Sequence, residues 1–276
     1  MKADRQGRSE LSGLSGAVTQ LKNSHETAIK SALKTAMTNT PTLQTPRLIL
    51  RRFTAADLDD FLTIYSNEQV CRFLPIHPLR SQGEAGDFFR GFYCSNYAQP
   101  QGYDYALCLK SDNRPIGFIN IDFEDARQWA RSIASNGCCA AGCSGDGCAG
   151  AADRSVSEPG SGGIISSGMG CELGYGLLPQ FWGQGLMTEA CRAVLARLRE
   201  DGFSFVFASH DVTNKASGQV LQRLGMTYQY SWEEQWQPKN IKVLFRLYLI
   251  SLDQYAQRTF PLYWTRASVR MVEALD

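Results

Sequence analysis

The stretch CELGYGLLPQFWGQGLMTEA, from Cys171 to Ala190, constrains this chain more than any other. It begins as an alternating strand over Cys171 to Leu177, turns through a loop of Pro and Gly, and opens a helix near Thr188. The loop has few side chains able to grip a ligand. It supplies backbone N–H groups instead, and the helix end behind it carries about half a positive charge. Such a place suits a phosphate group laid along the end of the strand. The stretch therefore predicts a site for a nucleotide-like or coenzyme-like ligand rather than for a metal.

Apolar periodicity organises the chain around that motif. Arg47 to Phe53 reads as a strand, and Thr54 can cap the helix marked by Leu58, Phe61, Leu62 and Tyr65. Ser81 and Glu84 form a capping box for a second helix with a stripe of Phe88, Phe89, Phe92 and Tyr93. Tyr103 to Leu109 and Pro115 to Phe123 read as a β-hairpin. After Gly170 come strand Cys171–Leu177, helix Thr188–Glu200, strand Ser204–Ser209, helix Lys215–Leu224, then strands Met226–Tyr230 and Ile241–Leu252. Gly225 ends the second of these helices. Strands alternating with helices predict an α/β chain, a mixed sheet covered by helices.

Three segments stand apart. Residues 1–42 predict a flexible extension, and the folded domain is expected over 43–255. Within it, about 127–168 is a low-complexity insertion too poor in large apolar residues to build a core. Residues 256–276 form a tail, from which Phe260, Leu262, Tyr263 and Trp264 are expected to pack back.

Composition narrows the class. Net charge is +1, so no pull toward nucleic acid or an anionic membrane is expected. Hydrophobic content of 43% with 20% charged residues suits a soluble globular chain. No apolar run approaches the roughly 18 residues of a membrane span. The N-terminus lacks a secretory core; its Ser, Thr, Ala and Lys leave a transit peptide open, against which Asp4, Glu10 and Glu26 argue. The nine cysteines, an odd number, predict reduced thiols and a cytoplasmic setting. Cys138, Cys139, Cys143 and Cys148 are irregularly spaced with no His nearby. They read as incidental thiols, so no metal is expected.

Three stretches carry a resemblance to a known family. They are Thr45 to Arg51, then Glu172 to Tyr175 continuing through Gly183 to Ala190, and Asn214 to Ser217 followed by Val220, Leu221, Leu224 and Gly225. In this order they resemble the GNAT superfamily of acetyl-coenzyme-A-dependent N-acetyltransferases. Within it they look most like the branch of the ribosomal-protein-alanine acetyltransferases (RimJ/RimL-like). The resemblance implies the acyl-coenzyme-A N-acyltransferase fold, an α+β arrangement with a mostly antiparallel sheet flanked by helices. It implies acetyl-coenzyme A as co-substrate and an amine acceptor, either a protein N-terminus or a small molecule. The family's pyrophosphate loop, Gln/Arg-x-x-Gly-x-Gly/Ala, fits Gln180 to Gly185 literally. Set by the strand end and Pro179, it falls on Trp182 to Met187, with Trp182 in place of Gln or Arg and Met187 in place of Gly or Ala. The cofactor-binding positions are then Leu177, Trp182, Gly183, Gln184, Gly185, Leu186, Met187, Thr188 and Asn214.

An amine must be neutral to attack a thioester. At pH 7 that costs roughly 1.4 kcal/mol for an α-amino group and roughly 4.6 for a lysine. Glu172, at the start of the central strand, is one candidate base; Glu233 and Glu234 are others. Ser217 or Tyr248 could protonate the leaving thiolate, and a backbone amide at the strand end could stabilise the oxyanion. Each has a structural alternative: a backbone bond for Glu172, a helix cap for Ser217, strand packing for Tyr248. His210 reads as a bystander. Trp232 and Trp236 could wall an acceptor pocket or cover the surface. Two other classes stay open, a non-catalytic acyl-coenzyme-A sensor and a dinucleotide-binding fold. The second is disfavoured because the first strand–helix turn, Phe53-Thr54-Ala55, lacks the glycine fingerprint.

Overall fold

The computed structural model describes residues 39–123, 164–165, 169–254 and 258–275. The N-terminal extension to Thr38, the four clustered cysteines and most of the insertion lie outside them. Asn39 and Thr40, just before the expected start of the folded region, are already buried and held. The Asn39 amide donates to the Asn96 and Gln99 carbonyls, and the Thr40 N–H to that of Gly102.

Eleven strands are seen among the described residues: β1 (Leu43–Gln44), β2 (Leu48–Arg51), β3 (Tyr105–Leu109), β4 (Pro115–Asp122), β5 (Ile164–Ile165), β6 (Gly170–Leu177), β7 (Phe205–Asp211), β8 (Thr227–Trp236), β9 (Ile241–Ser251), β10 (Arg258–Thr259) and β11 (Arg270–Met271). Nine form one sheet in the order β1-β2-β3-β4-β6-β7-β9-β8-β11. Every neighbouring pair in it is antiparallel except β6 and β7. A parallel dinucleotide-binding sheet is thereby excluded. The longer α-helices among the described residues are α1 (Leu58–Ser66), α2 (Glu68–Cys71), α3 (Gln82–Phe88), α4 (Leu186–Glu200), α5 (Lys215–Arg223) and α6 (Leu262–Arg266). No helix of the described residues is long and apolar enough to cross a membrane.

Side chains alternate across the sheet, so its two faces bury different cores. One face carries Leu48, Leu107, Ile119, Leu173, Val206 and Tyr248 in a core completed by α4 and α5. On the opposite face, Phe53 after β2, Phe61 and Tyr65 of α1, and Phe89 and Tyr93 of the π-helical continuation of α3 pack on Ala106, Cys108 and Phe118. Farther along that face, Phe205, Phe207, Trp232, Phe245 and Leu247 meet Phe260, Leu262 and Trp264. The expected packing of Phe260, Leu262 and Trp264 is thus found, all three at 6% exposure or less. Residues 258–275 also add β11 to the sheet beside β8.

β8 is longer than the sequence reading placed it, reaching Trp236 rather than stopping at Tyr230. Its register slips at Gln229: Tyr228 opposes Tyr248, but Tyr230 opposes Leu247. One extra residue exchanges the faces of everything beyond it. Tyr228 stays with the α4–α5 core, while Trp232, Glu234 and Trp236 turn to the opposite face.

Candidate active site

β6 and β7 pair only at Gly170–Phe205, Cys171–Val206 and Glu172–Phe207. Beyond Glu172 the two strands part, and among the described residues β6 from Leu173 to Leu177 has no strand partner on the β7 side. The strands bound a cleft of about 860 Å³. Because it opens inside the sheet, it is lined from both faces. Tyr175, His210, Asn214 and Ser217 lie toward α4 and α5; Asn120, Asp122, Glu172, Trp232, Glu234 and Tyr263 lie on the other side.

Leu178 to Gly185 forms the end of the cleft. Pro179–Phe181 makes one 3₁₀ turn, and Trp182, 47% exposed, donates its indole N–H to the Leu177 carbonyl at 2.7 Å. Gly183 and Gly185 have φ of +73° and +75°. That left-handed region costs other residues roughly 1–2 kcal/mol. Gly185 is the N-cap of α4, and no side chain caps that helix. The N–H groups of Leu186, Met187 and Thr188 lack intrahelical acceptors by helix geometry. Their side chains point into the body and are all at least nine-tenths buried. Met187, the departure from the family pattern, belongs to the main core. Only 6% of its surface is exposed, although it is among the residues that line the cleft.

Glu189, in the first turn of α4, would repel an anion if it faced the loop. It is drawn away by Thr45, whose hydroxyl donates at 2.6 Å, and by the Arg47 N–H and guanidinium at 2.9 and 2.7 Å. Burial raises its pKa, but these bonds outweigh that and hold the carboxyl below its ordinary value. Arg47 also donates to the Gln184 carbonyl at 2.9 Å, bracing the loop from behind.

The neighbouring helix end is built differently. Asn214 accepts the Ser217 N–H at 3.2 Å and is the N-cap of α5. The Ser217 hydroxyl lies 2.8 Å from that of Tyr175, which also donates to the Ser217 carbonyl at 3.2 Å. His210 packs its ring on Gly218, where a Cβ would come within 2.9 Å of Nε2. Burial lowers the pKa of that histidine below its ordinary value.

The sequence-derived candidates separate accordingly. Glu172, Ser217 and the loop residues Leu177, Trp182, Gly183, Gly185, Leu186, Met187, Thr188 and Asn214 come together around the cleft. Gln184 lies in the same loop with its amide on the Gln180 carbonyl. Tyr248 is not brought there. Its ring is buried in the main core, 5.5 Å from His210 and 5.8 Å from Tyr228, and burial raises its pKa. Glu233 points to the face opposite Glu234 and pairs with Lys242. Glu234 lines the cleft and accepts the Trp232 indole N–H at 3.1 Å. Glu172 accepts the hydroxyls of Ser209 and Tyr263, both at 3.3 Å. Tyr175 was missed as a site residue; its place two residues after Leu173 on an alternating strand was the available signal.

Over the second-face side of the cleft, the turn after β8 reaches across. The Lys239 ammonium donates to the Cys71 and Arg72 carbonyls at the end of α2. Among the described residues, no group of three or more His, Cys, Asp or Glu could hold a metal ion.

A family model described as an acetyltransferase (GNAT) domain matches residues 47–227. A search of curated proteins found no match. Among solved structures, the chain is similar to a RimL ribosomal L7/L12 alpha-N-protein acetyltransferase in complex with coenzyme A. The TM-score is 0.55 at 14% identity, over 76% of this chain and 98% of that one. A GNAT-family acetyltransferase from Bacillus anthracis is similar at TM-score 0.52 and 15% identity, over 77% of this chain and 99% of that one. At these identities the likeness is one of fold.

Proposed function

This chain belongs to the GNAT acetyltransferase family, and from that premise we propose that it transfers an acetyl group from acetyl-coenzyme A to a primary amine, directly, within a ternary complex. One observation carries the reading: the gap between β6 and β7 runs onto an uncapped helix end with two left-handed glycines. The N–H groups from Gly183 to Thr188 would hold the diphosphate. The open edge of β6 from Leu173 to Leu177 would pair with the amides of the pantetheine arm. When bound, the co-substrate supplies the activated acetyl thioester.

The remaining work falls to side chains around the gap. Glu234 and Glu172, on the face away from α4 and α5, would receive the acceptor's ammonium and take its proton. Ser217, hydrogen-bonded to Tyr175, would donate a proton toward the departing sulfur. A thiol leaving group has a pKa of about 8.5, so a weak acid suffices. Direct transfer is favoured because the buried thiols resist ionisation. Burial pushes Cys71 to about 11 and Cys108 to about 12, and raises Cys171 and Cys191 as well. All five described cysteines are free thiols. The acceptor is a protein N-terminus, as the RimL neighbour's name suggests for that protein, or a small amine. An α-amino group demands less of the base. Labelled acetyl-coenzyme A incubated with N-terminal peptides and small amines tests this by mass spectrometry. Acetylated product supports transfer; coenzyme A binding with no product from any acceptor overturns it.

A further inference from the structure

We infer that the segment after β9, beyond the span matched by the family model, completes the acceptor side of the site: Tyr263, stacked on Trp232, positions the Glu172 and Glu234 carboxylates. This rests on the acetyl-transfer reading and extends it to residues outside 47–227.

The segment is anchored at several points. Phe260 is fully buried and stacks on Phe207 at 4.0 Å, and its carbonyl accepts the Tyr230 hydroxyl at 2.6 Å. β11 pairs with β8 at Ser231 and Trp232. Glu273 accepts the Arg246 guanidinium at 2.5 and 3.1 Å. Between these anchors, α6 delivers Tyr263 into the cleft. Its ring lies 4.6 Å from that of Trp232, tilted by only 3°.

Each ring of the stack offers one donor to one acid. The Tyr263 hydroxyl donates to Glu172 Oε2 at 3.3 Å, while the Ser209 hydroxyl donates to Oε1 at the same distance. The Trp232 N–H donates to Glu234 Oε2 at 3.1 Å. Glu172 sits at the last paired rung before β6 and β7 part, and Glu234 sits on β8. A rigid two-ring plate thus fixes two acids carried by separate strands toward one opening. A flexible carboxylate would otherwise lose orientation each time an ammonium departed. Tyr263 acts through Glu172 and is therefore a positioning residue.

Tyr263→Phe keeps the ring and removes the donor. With an acceptor found for the wild type, kcat/KM for the amine should fall about tenfold, near the lower end for a lost hydrogen bond to a charged group. Coenzyme A affinity by calorimetry and the melting temperature should not change. In a Glu172→Gln background the same substitution should cost little more, because both act through one carboxylate. Tyr263→Ala, which also removes the stack, should lose more activity than Tyr263→Phe at equal coenzyme A affinity. A Tyr263→Phe enzyme with wild-type kcat/KM, or a full additional loss in the Glu172→Gln background, overturns the inference and leaves acetyl transfer standing. Coenzyme A binding without turnover by the wild type overturns the transfer reading and this inference with it.

Discussion

Two helices, α4 and α5, point their N-termini at the same cleft, and they are finished in opposite ways. The α5 end is complete within the protein: Asn214 caps it, Tyr175 engages Ser217, and His210 fills the space against Gly218. The α4 end has a glycine for its cap and no side chain on its first N–H groups, and its one acidic first-turn residue is pulled aside by Thr45 and Arg47. A helix end that the protein engages by itself has little left to offer an anion. One that it leaves open, beside a gap in its own sheet, suits a phosphate-bearing ligand.

The contrast can be broken by experiment. Its largest expected effect is on the open end. Replacing Gly183 and Gly185 together by Ala should weaken coenzyme A binding about a hundredfold in calorimetry, because each left-handed position costs roughly 1–2 kcal/mol. Unchanged affinity would remove the loop from the cofactor site. Next, Ser217→Ala should lower kcat at least about tenfold with coenzyme A affinity held within about threefold, assigning chemistry rather than binding to the α5 end. Asn214→Ala should cost about 1 kcal/mol of unfolding free energy in denaturant titration, the usual effect of losing a cap, and again spare the cofactor. If it instead weakened coenzyme A binding about a hundredfold, as the glycine pair should, the two ends would not differ in kind.

The smallest effect concerns pH. Burial holds the folded pKa of His210 below its ordinary 6.5. Between the folded value and 6.5 the unfolded chain binds the proton more readily, so stability falls as pH drops below about 6.5. His210→Asn should flatten that decline in denaturation midpoints compared at pH 7.5 and 5.5. An unaltered slope would mean that this histidine is not what seats α5.

Much of this was legible in the residues. The alternation of Cys171 to Leu177, the glycines at 183 and 185, and the helix expected over Thr188–Glu200 placed the strand, loop and helix of the open end. The other helix end was harder. Ser217 reads as the cap of this helix, whereas the side chain that accepts the first-turn N–H is that of Asn214, one residue before the helix, at 3.2 Å from the Ser217 nitrogen. Tyr248 looked available because strand periodicity tells which residues share a face but not which face. The slip at Gln229, which turns Glu234 to the cleft, depends on pairing with β9 and leaves no local mark, while Tyr248 shares the core face with its cross-strand partners Ala208 and Tyr228. Tyr263 lies more than 90 residues beyond Glu172, a contact made by tertiary packing alone.

The sheet also has a mechanical consequence. Five strands, β1 to β4 and β6, form one antiparallel leaf, and β7, β9, β8 and β11 form another. Three rungs stitch the leaves together along a single margin. A slender amide-bearing chain lodged past that margin would lend the missing rungs, so the ligand would act as a splint as well as a reactant. At a hundredfold excess over its dissociation constant, such a splint adds about 2.7 kcal/mol to the folded state. Slower hydrogen exchange along β7, at amides remote from the diphosphate, would be its signature.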